Sequence, residues 1–307
     1  MNKVTKVLLI TAGSCIVVGL LLGTVAYGAA KKNGFEAFKT TREKVTTDIT
    51  DSFSNIEVLE VSDDIVIRPS EDGNVKIITW ESEDQYHDIK VDDDTLKIEF
   101  KEKAGLHFGD FEFDTNSSND PEYGMTIIYL PEGEYEDISI TATSSEIAVP
   151  ENYTFNDVTV TSVSGNISCS AVATGLVKMN STSGEISDLN IDGISANIDT
   201  VSGNIGMTSC DVTGSIEINT TSGDINLTDI STSSASINVV SGDITLNNFE
   251  SGLTDIDSTS GDVTGSLTGS YKISTDTVSG DINVTCNNTT DGAPFNVDTV
   301  SGDITLN

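Results

Sequence analysis

From Asn55 to the C-terminus, apolar and polar residues alternate with a period of two, and no stretch holds the 3.6-residue period of an amphipathic helix. The segments "NIEVLEV", "IVIRP", "VKIITW", "DIKV", "TLKIEF" and "MTIIYLP" each read as a strand, separated by Asp, Gly and Ser turns. Residues 104–124 interrupt this pattern as one long irregular loop.

Beyond residue 140 the alternation itself repeats. With the serine of each Ser-Gly taken as position zero, the series is Ser164, Ser183, Ser202, Ser222, Ser241, Ser260, Ser279 and Ser301, at spacings of 19, 19, 20, 19, 19, 19 and 22. "ATSSEIAV" at 142–149 is an earlier copy with Ser145 in the glycine's place, and "EVSDDIVI" at 60–67 is a remoter one. A period near 20 in a strand-rich chain predicts stacked coils, each burying its apolar face only against its neighbours.

Within the repeat the apolar residues hold fixed places. Position −4 carries Val160, Met179, Ile198, Ile218, Ile237, Ile256, Thr275 and Val297, and position +3 carries Ile in seven of its eight copies and Val263 in the other. Position +5 is apolar apart from Asp188 and Gly265. Alternation therefore slips by one residue between serine and isoleucine, which a strand accomplishes only at a bulge or corner. Glycine at +1 supplies the φ > 0 such a corner often needs. Ser-Gly-Asp is thus expected to be where each coil turns, its serine facing inward.

Position +2 is acidic or amide throughout. Asp224, Asp243, Asp262, Asp281 and Asp303 would stand about 4.8 Å apart in register. Such a column is either a calcium ladder or a row of solvated turn residues, each accepting a backbone hydrogen bond. Repulsion between neighbours in water is only about 0.9 kcal/mol at that distance, so the column needs no metal. Calcium also wants six to eight oxygens, and the spacing is not that of the nine-residue calcium repeats.

The N-terminus changes the picture. Residues 7–30 are 24 uncharged residues between Lys6 and a pair of lysines, about 36 Å as a helix and enough to cross a bilayer. A cleaved signal peptide ending near "AYGAA" is the competing reading, although its apolar core would normally be about 7–15 residues. Gly19 and Gly23 form a GxxxG that would let two such helices approach closely. The organisation expected is a transmembrane signal-anchor helix at 1–30, a polar juxtamembrane stalk at 31–54, N-terminal β coils at 55–140 carrying the 104–124 loop, and a regular solenoid at 141–307.

Orientation is contested. Five basic residues follow the helix and two precede it, which by simple count keeps the large domain inside. Its acidic, Thr/Ser/Asn-rich β composition is that of an exported domain, and long domains translocate regardless of flanking charge. The reading adopted is a single-pass cell-membrane protein with the large domain extracellular.

Charge and chemistry narrow the function. The formal charge is −34, and only Lys178 and Lys272 lie beyond Lys103. Such a surface repels nucleic acid and anionic lipid. Outside the membrane segment the cysteines are Cys169, Cys210 and Cys286, an odd set without metal spacing, read as free and mostly buried thiols. His87 and His107 lie in no recognised motif and read as surface or loop residues. No phosphate-binding loop, nucleophile elbow or zinc-protease motif is present, so the expectation is a non-enzyme without a cofactor. His107, Phe108, Phe111, Phe113 and Tyr123 gather in the irregular loop of an aromatic-poor chain, which makes them the candidate partner contacts. The C-terminal rung, ending at Asn307, reads as an uncovered solenoid edge open to self-association, as does the membrane helix.

The N-terminal helix, "SDDIVIRPSEDGNVKI", "DDDTLKIEF", "MTIIYLP" and the serial "SGDI" rungs together resemble the bacterial LiaG-like family over roughly residues 55–307. Members are membrane-anchored and carry the description putative adhesin. The resemblance implies a single-stranded β-solenoid, parallel β-helix-like, of about 19–20 residues per coil, located in the cell envelope, with no catalytic residues to carry over. The chain departs from the pattern at Asp63 and Ser145, which stand where the glycine belongs, and in the 104–124 insertion. Two functions fit: a surface adhesin or scaffold binding a partner or matrix, or an accessory protein of an envelope-stress sensor acting through its membrane helix.

Overall fold

A computed structural model describes residues 42–103, 120–286 and 288–307. Among these residues the secondary structure is entirely β, with 23 strands. The expected membrane helix and its Gly19 and Gly23 lie outside the described residues, as do His107, Phe108, Phe111 and Phe113. No helix among the described residues is long and apolar enough to cross a membrane. The described residues divide into a small unit (42–44, 80–86, 101–103 and 120–123) and a large one comprising 45–79, 87–100 and those from 124 onward.

The large unit is a β-solenoid of parallel, in-register coils. Ile186 pairs with Ile205, Ile205 with Ile225 and Ile225 with Ile244, so each +3 residue stacks on the next. Ile198, Ile218, Ile237 and Ile256 form the same kind of column at −4. Both columns are almost wholly buried. The remote copy at 60–67 also belongs, since Ile65 pairs with Ile147.

Each regular coil has three corners. The first is Ser-Gly-Asp, where every glycine takes a positive φ, from 117° at Gly165 to 156° at Gly280. A Cβ on Gly203 would stand 1.9 Å from the Gly184 carbonyl oxygen, and on Gly242 2.1 Å from that of Gly223. Glycine is therefore fixed twice, by conformation and by the approach of the next coil. Ser145, in the glycine's place, takes no positive φ and is fully buried at the start of the column. The second corner bends at left-handed residues Ser209, Asp229 and Asn248, mostly types that tolerate αL. Gly214 and Gly252 lie at the third, each within contact of a carbonyl one coil away.

The inward set is wider than the repeat first indicates. In the coil after Ser222 it comprises Ile225, Leu227, Ile230, Thr232, Ala235, Ile237 and Val239. The zero serine does not belong to it. Ser164, Ser183, Ser202, Ser222 and Ser241 are all exposed, because the chain is already turning there. The inward small residue is at −2: Ser162, Ser181, Thr200, Thr220, Ser258 and Thr299 are buried.

Coil order departs from chain order at both ends. Strand Asn55–Glu60 lies between Thr95–Glu102 and Gly133–Ser144. Strand Ala293–Ser301 lies between Thr254–Ser260 and Tyr271–Ser279. The C-terminal rung is therefore internal, with Ile304 and Leu306 fully buried, and the expected edge at Asn307 is corrected to the coil 271–284. The 22-residue spacing marks this return. Part of the expected stalk is also a strand, Glu43–Ile49.

In the small unit, Trp80 organises the described residues. Its indole N–H donates to the Glu122 carbonyl at 2.7 Å, and the Tyr123 ring meets it edge-on at 4.7 Å. The Lys44 ammonium bonds Glu122 at 2.7 Å and Asp120 at 3.3 Å, and lies 5.8 Å from the Trp80 ring centre. Those two carboxylates hold the lysine's proton more tightly than usual.

Candidate functional site: the acidic corner column

The five candidate aspartates come together, in the spatial order Asp224, Asp243, Asp262, Asp303, Asp281. Four of them, Asp224, Asp243, Asp262 and Asp303, use one carboxylate oxygen in the same way. Asp243 N–H donates to Asp224 Oδ1 at 2.9 Å, and Asp262 N–H to Asp243 Oδ1 at 2.8 Å. Asp303 N–H donates to Asp262 Oδ1, and Asp281 N–H to Asp303 Oδ1, both at 2.8 Å. Asn204 begins the run by accepting from Asp224 N–H at 2.9 Å. The acceptor has to be a short side chain carrying an oxygen, a place that Asn204 and the aspartates after it both fill. The backbone of successive coils holds the column, and its aspartates are exposed.

Beside this column runs an outward row of β-branched residues at −1. Val163 is 50% exposed, Val240 42%, Val300 52% and Val278 81%. Further along the same outward face, Asp257, Asp298 and Asp276 are in register at −3. Burial, then repulsion from Asp255 and Asp298, raises the Asp257 carboxyl above its usual range.

Tyr123 is the one candidate contact residue among those described, and it sits at the foot of the 104–124 loop with its ring against Trp80. His87 was expected at the surface and is instead buried, its Nε2 2.9 Å from Glu60 Oε2. Glu60 occupies the inward −2 place of its coil and also accepts from the Thr126 hydroxyl at 3.0 Å and the Val61 N–H at 2.8 Å. Burial pushes its carboxyl up, but His87 and these donors outweigh that and leave it lowered. The hydrogen-bonded pair fills a core position, with both side chains 0% exposed. Burial likewise pushes the Cys169 thiol up to about 12 and Cys210 up to about 11.

One surface feature went unread in the sequence. Phe53, Tyr135 and Phe155 each stand nine residues before a zero serine, and they stack, with ring centres 6.2 Å and 5.8 Å apart. Phe53 and Tyr135 border an open depression of about 440 Å³ that Glu134, Glu136 and Asn156 also line, while Phe155 is fully buried. The common offset from Ser62, Ser144 and Ser164 was the available signal.

The Toastrack DUF4097 family model matches residues 53–217 and again 196–307. The chain belongs to the Toastrack DUF4097 family. The two matches overlap within the coils, as a repeated unit allows. No curated protein matches the chain. Among solved structures, a putative adhesin from Bacteroides fragilis is similar at 11% identity and TM-score 0.44, over 88% of this chain and all of that one. A putative lipid binding protein from Parabacteroides distasonis is similar at 14% identity and TM-score 0.48, over 86% of this chain and 97% of the other. A putative cell adhesion protein from Clostridium sporogenes is similar at 11% identity and TM-score 0.25, over 87% of this chain and 99% of that one.

Proposed function

We propose that this Toastrack chain is a non-enzymatic protein of the bacterial cell envelope, of the LiaG-like kind, anchored by residues 7–30 and presenting its solenoid outside the membrane to a partner or matrix. The observation that carries this reading is the use made of the repeated motif. The glycine is consumed by the approach of the next coil, and one aspartate oxygen by the next coil's N–H. The repeat thus supports a stiff acidic scaffold, in which carboxylates stand in a column and do not converge on a point. The outward −5 position varies from coil to coil, as in Lys178, Glu217, Ser236 and Asp255, the arrangement expected of a display surface. The irregular 104–124 loop, with His107, Phe108, Phe111, Phe113 and Tyr123, is the proposed contact.

Protease added to intact, wall-stripped cells should remove the large domain, and complete protection would overturn the location. Deleting 104–119 should leave the β circular dichroism unchanged and weaken attachment of cells to their matrix. Unchanged attachment would remove the loop from the proposal.

A further inference from the structure

Coil stacking stops at the coil 271–284. Among the described residues its strands pair with another strand on one side only, Tyr271–Ser279 with Ala293–Ser301 and Ile282–Val284 with Ile304–Leu306, and a single bridge joins Tyr271 to Asn288 on the other. The consequence is visible in the core: Ile282 is 46% exposed, whereas Ile244, Val263 and Ile304 at the same coil position are 0% exposed. In a parallel ladder, alternate residues bond to alternate neighbours. Ser270 bonds inward through its carbonyl to Ala293 N–H, so the backbone groups of Tyr271, Ile273, Thr275 and Thr277 point away from the stack. Two are met by the returning chain, the Tyr271 carbonyl by Thr289 N–H at 2.7 Å and Ile273 N–H by Asn288 Oδ1 at 3.2 Å. Around Thr275 and Thr277 no strand of the described residues follows. The opposite end differs, because strand Met125–Leu130 is covered there by an antiparallel partner, Ile77 opposite Ile128.

We propose that this edge pairs with the same edge of a second copy, antiparallel, about a twofold axis at Thr275. Charge selects both the partner and the direction. The outward residues of the edge strand are Lys272, Ser274, Asp276 and Val278, and Lys272 is one of only two basic residues beyond Lys103. A further parallel, in-register strand would set aspartate on Asp276 and on Asp281, prolonging both acidic columns. Antiparallel pairing about Thr275 instead sets Ser274 opposite Asp276 and brings Lys272 diagonal to Asp276 of the second copy, twice by symmetry and within a lysine's reach. Because the same edge meets itself about a twofold axis, the contact is self-complementary and closes as a dimer, not a fibre.

The test is sedimentation equilibrium of the full chain in detergent at 0.15 M salt on the order of physiological strength, with circular dichroism and melting as controls of folding. The parent should show a concentration-dependent dimer. K272E and D276K should each weaken it about tenfold or more, and the exchanged pair K272D/D276K should restore it. Thr275→Pro removes an outward N–H without touching the internal ladder, and should give a folded monomer. A parent that stays monomeric overturns the proposal. So does a dimer indifferent to K272E, D276K and Thr275→Pro, which would place self-association elsewhere, the N-terminal segment included. Weakening by both single changes without rescue by the exchange overturns the antiparallel register.

Discussion

Gly203→Ala isolates the cost of the coil corner, because Gly206, three residues on, is a built-in control. Gly203 has φ +144°, and a Cβ there would meet the Gly184 oxygen at 1.9 Å and its carbon at 2.6 Å. Holding an L-residue in that backbone region costs about 1–3 kcal/mol. Relieving the overlap requires the two coils to part by more than an ångström. That stretches the Gly184 N–H to Ser202 carbonyl bond, now 3.1 Å, and the Ile186 N–H to Asn204 carbonyl bond, now 2.9 Å, out of range. At about 1 kcal/mol each, the total is about 3–5 kcal/mol, or roughly a 10 °C fall in melting temperature for a domain of this size. Gly206 has no positive φ, and its nearest contact would be the Ile186 oxygen at 3.9 Å. Alanine there should be neutral, or stabilising by about 0.5–1 kcal/mol through loss of unfolded-chain freedom. Urea and thermal unfolding of both variants decide the matter. Equal damage, or none from Gly203→Ala, would refute the argument that close coil approach fixes the repeated glycine.

Other expectations follow from the column, the buried pair and the thiols. Asp243→Asn keeps the acceptor for Asp262 N–H and should leave stability unchanged or raised at low salt, whereas Asp243→Ala should cost about 1–2 kcal/mol, both read by denaturant titration. Glu60→Ala leaves His87 buried beside a lost partner and should cost about 3–5 kcal/mol. Because the folded Glu60 carboxyl lies below its ordinary value, its stabilising contribution is full above the unfolded pKa and is lost as pH falls through the folded one. Acid titration should therefore show a stability loss below the usual glutamate range that the Glu60→Gln variant lacks. In native protein, a maleimide should label Cys286 and spare Cys169 and Cys210, which are buried with raised thiol pKa values; rapid labelling of all three would contradict the core described.

Much of the fold was legible because a solenoid writes its geometry into a period. The −4 and +3 columns, the glycine corner and the outward aspartates follow from alternation and its one slip. The inward serine did not follow. Alternation carried through −2 predicts it, but at a corner the backbone turns before the side chain does, so the inward place ends at Thr200 or Thr220 and Ser202 and Ser222 are left outside. His87 was misread for a different reason. Its partner Glu60 lies 27 residues earlier, at a −2 place where other coils carry Ala, Ser, Thr or Val, and no local pattern announces a carboxylate that enters the core only because an imidazole meets it. The aromatic column of Phe53, Tyr135 and Phe155 was readable, but only after the remote copy at Ser62 had been placed in phase with Ser144 and Ser164.

Coil order was the deepest omission, and its cause is physical. The period specifies the outline of a coil, and every coil presents nearly the same ladder, so the sequence discriminates weakly between stacking a coil on its predecessor and leaving a gap for a later one. A connection of 22 residues against 19 is the sole trace of the return near the C-terminus. The consequence is nevertheless large. Stacked in chain order, Ala293–Ser301 and Ile304–Leu306 would follow the coil 271–284 and pair with it alone. Inserted between two earlier coils, they pair on both sides. The exposed edge is thereby transferred to the internal coil 271–284, whose two connections restrain it. Strand Asn55–Glu60 is protected in the same manner at the other end, between Thr95–Glu102 and Gly133–Ser144. The fold thus places both of these strands between neighbours and leaves the edge to a coil carrying Lys272 and Asp276, charges of opposite sign on one strand, the requirement for pairing with itself.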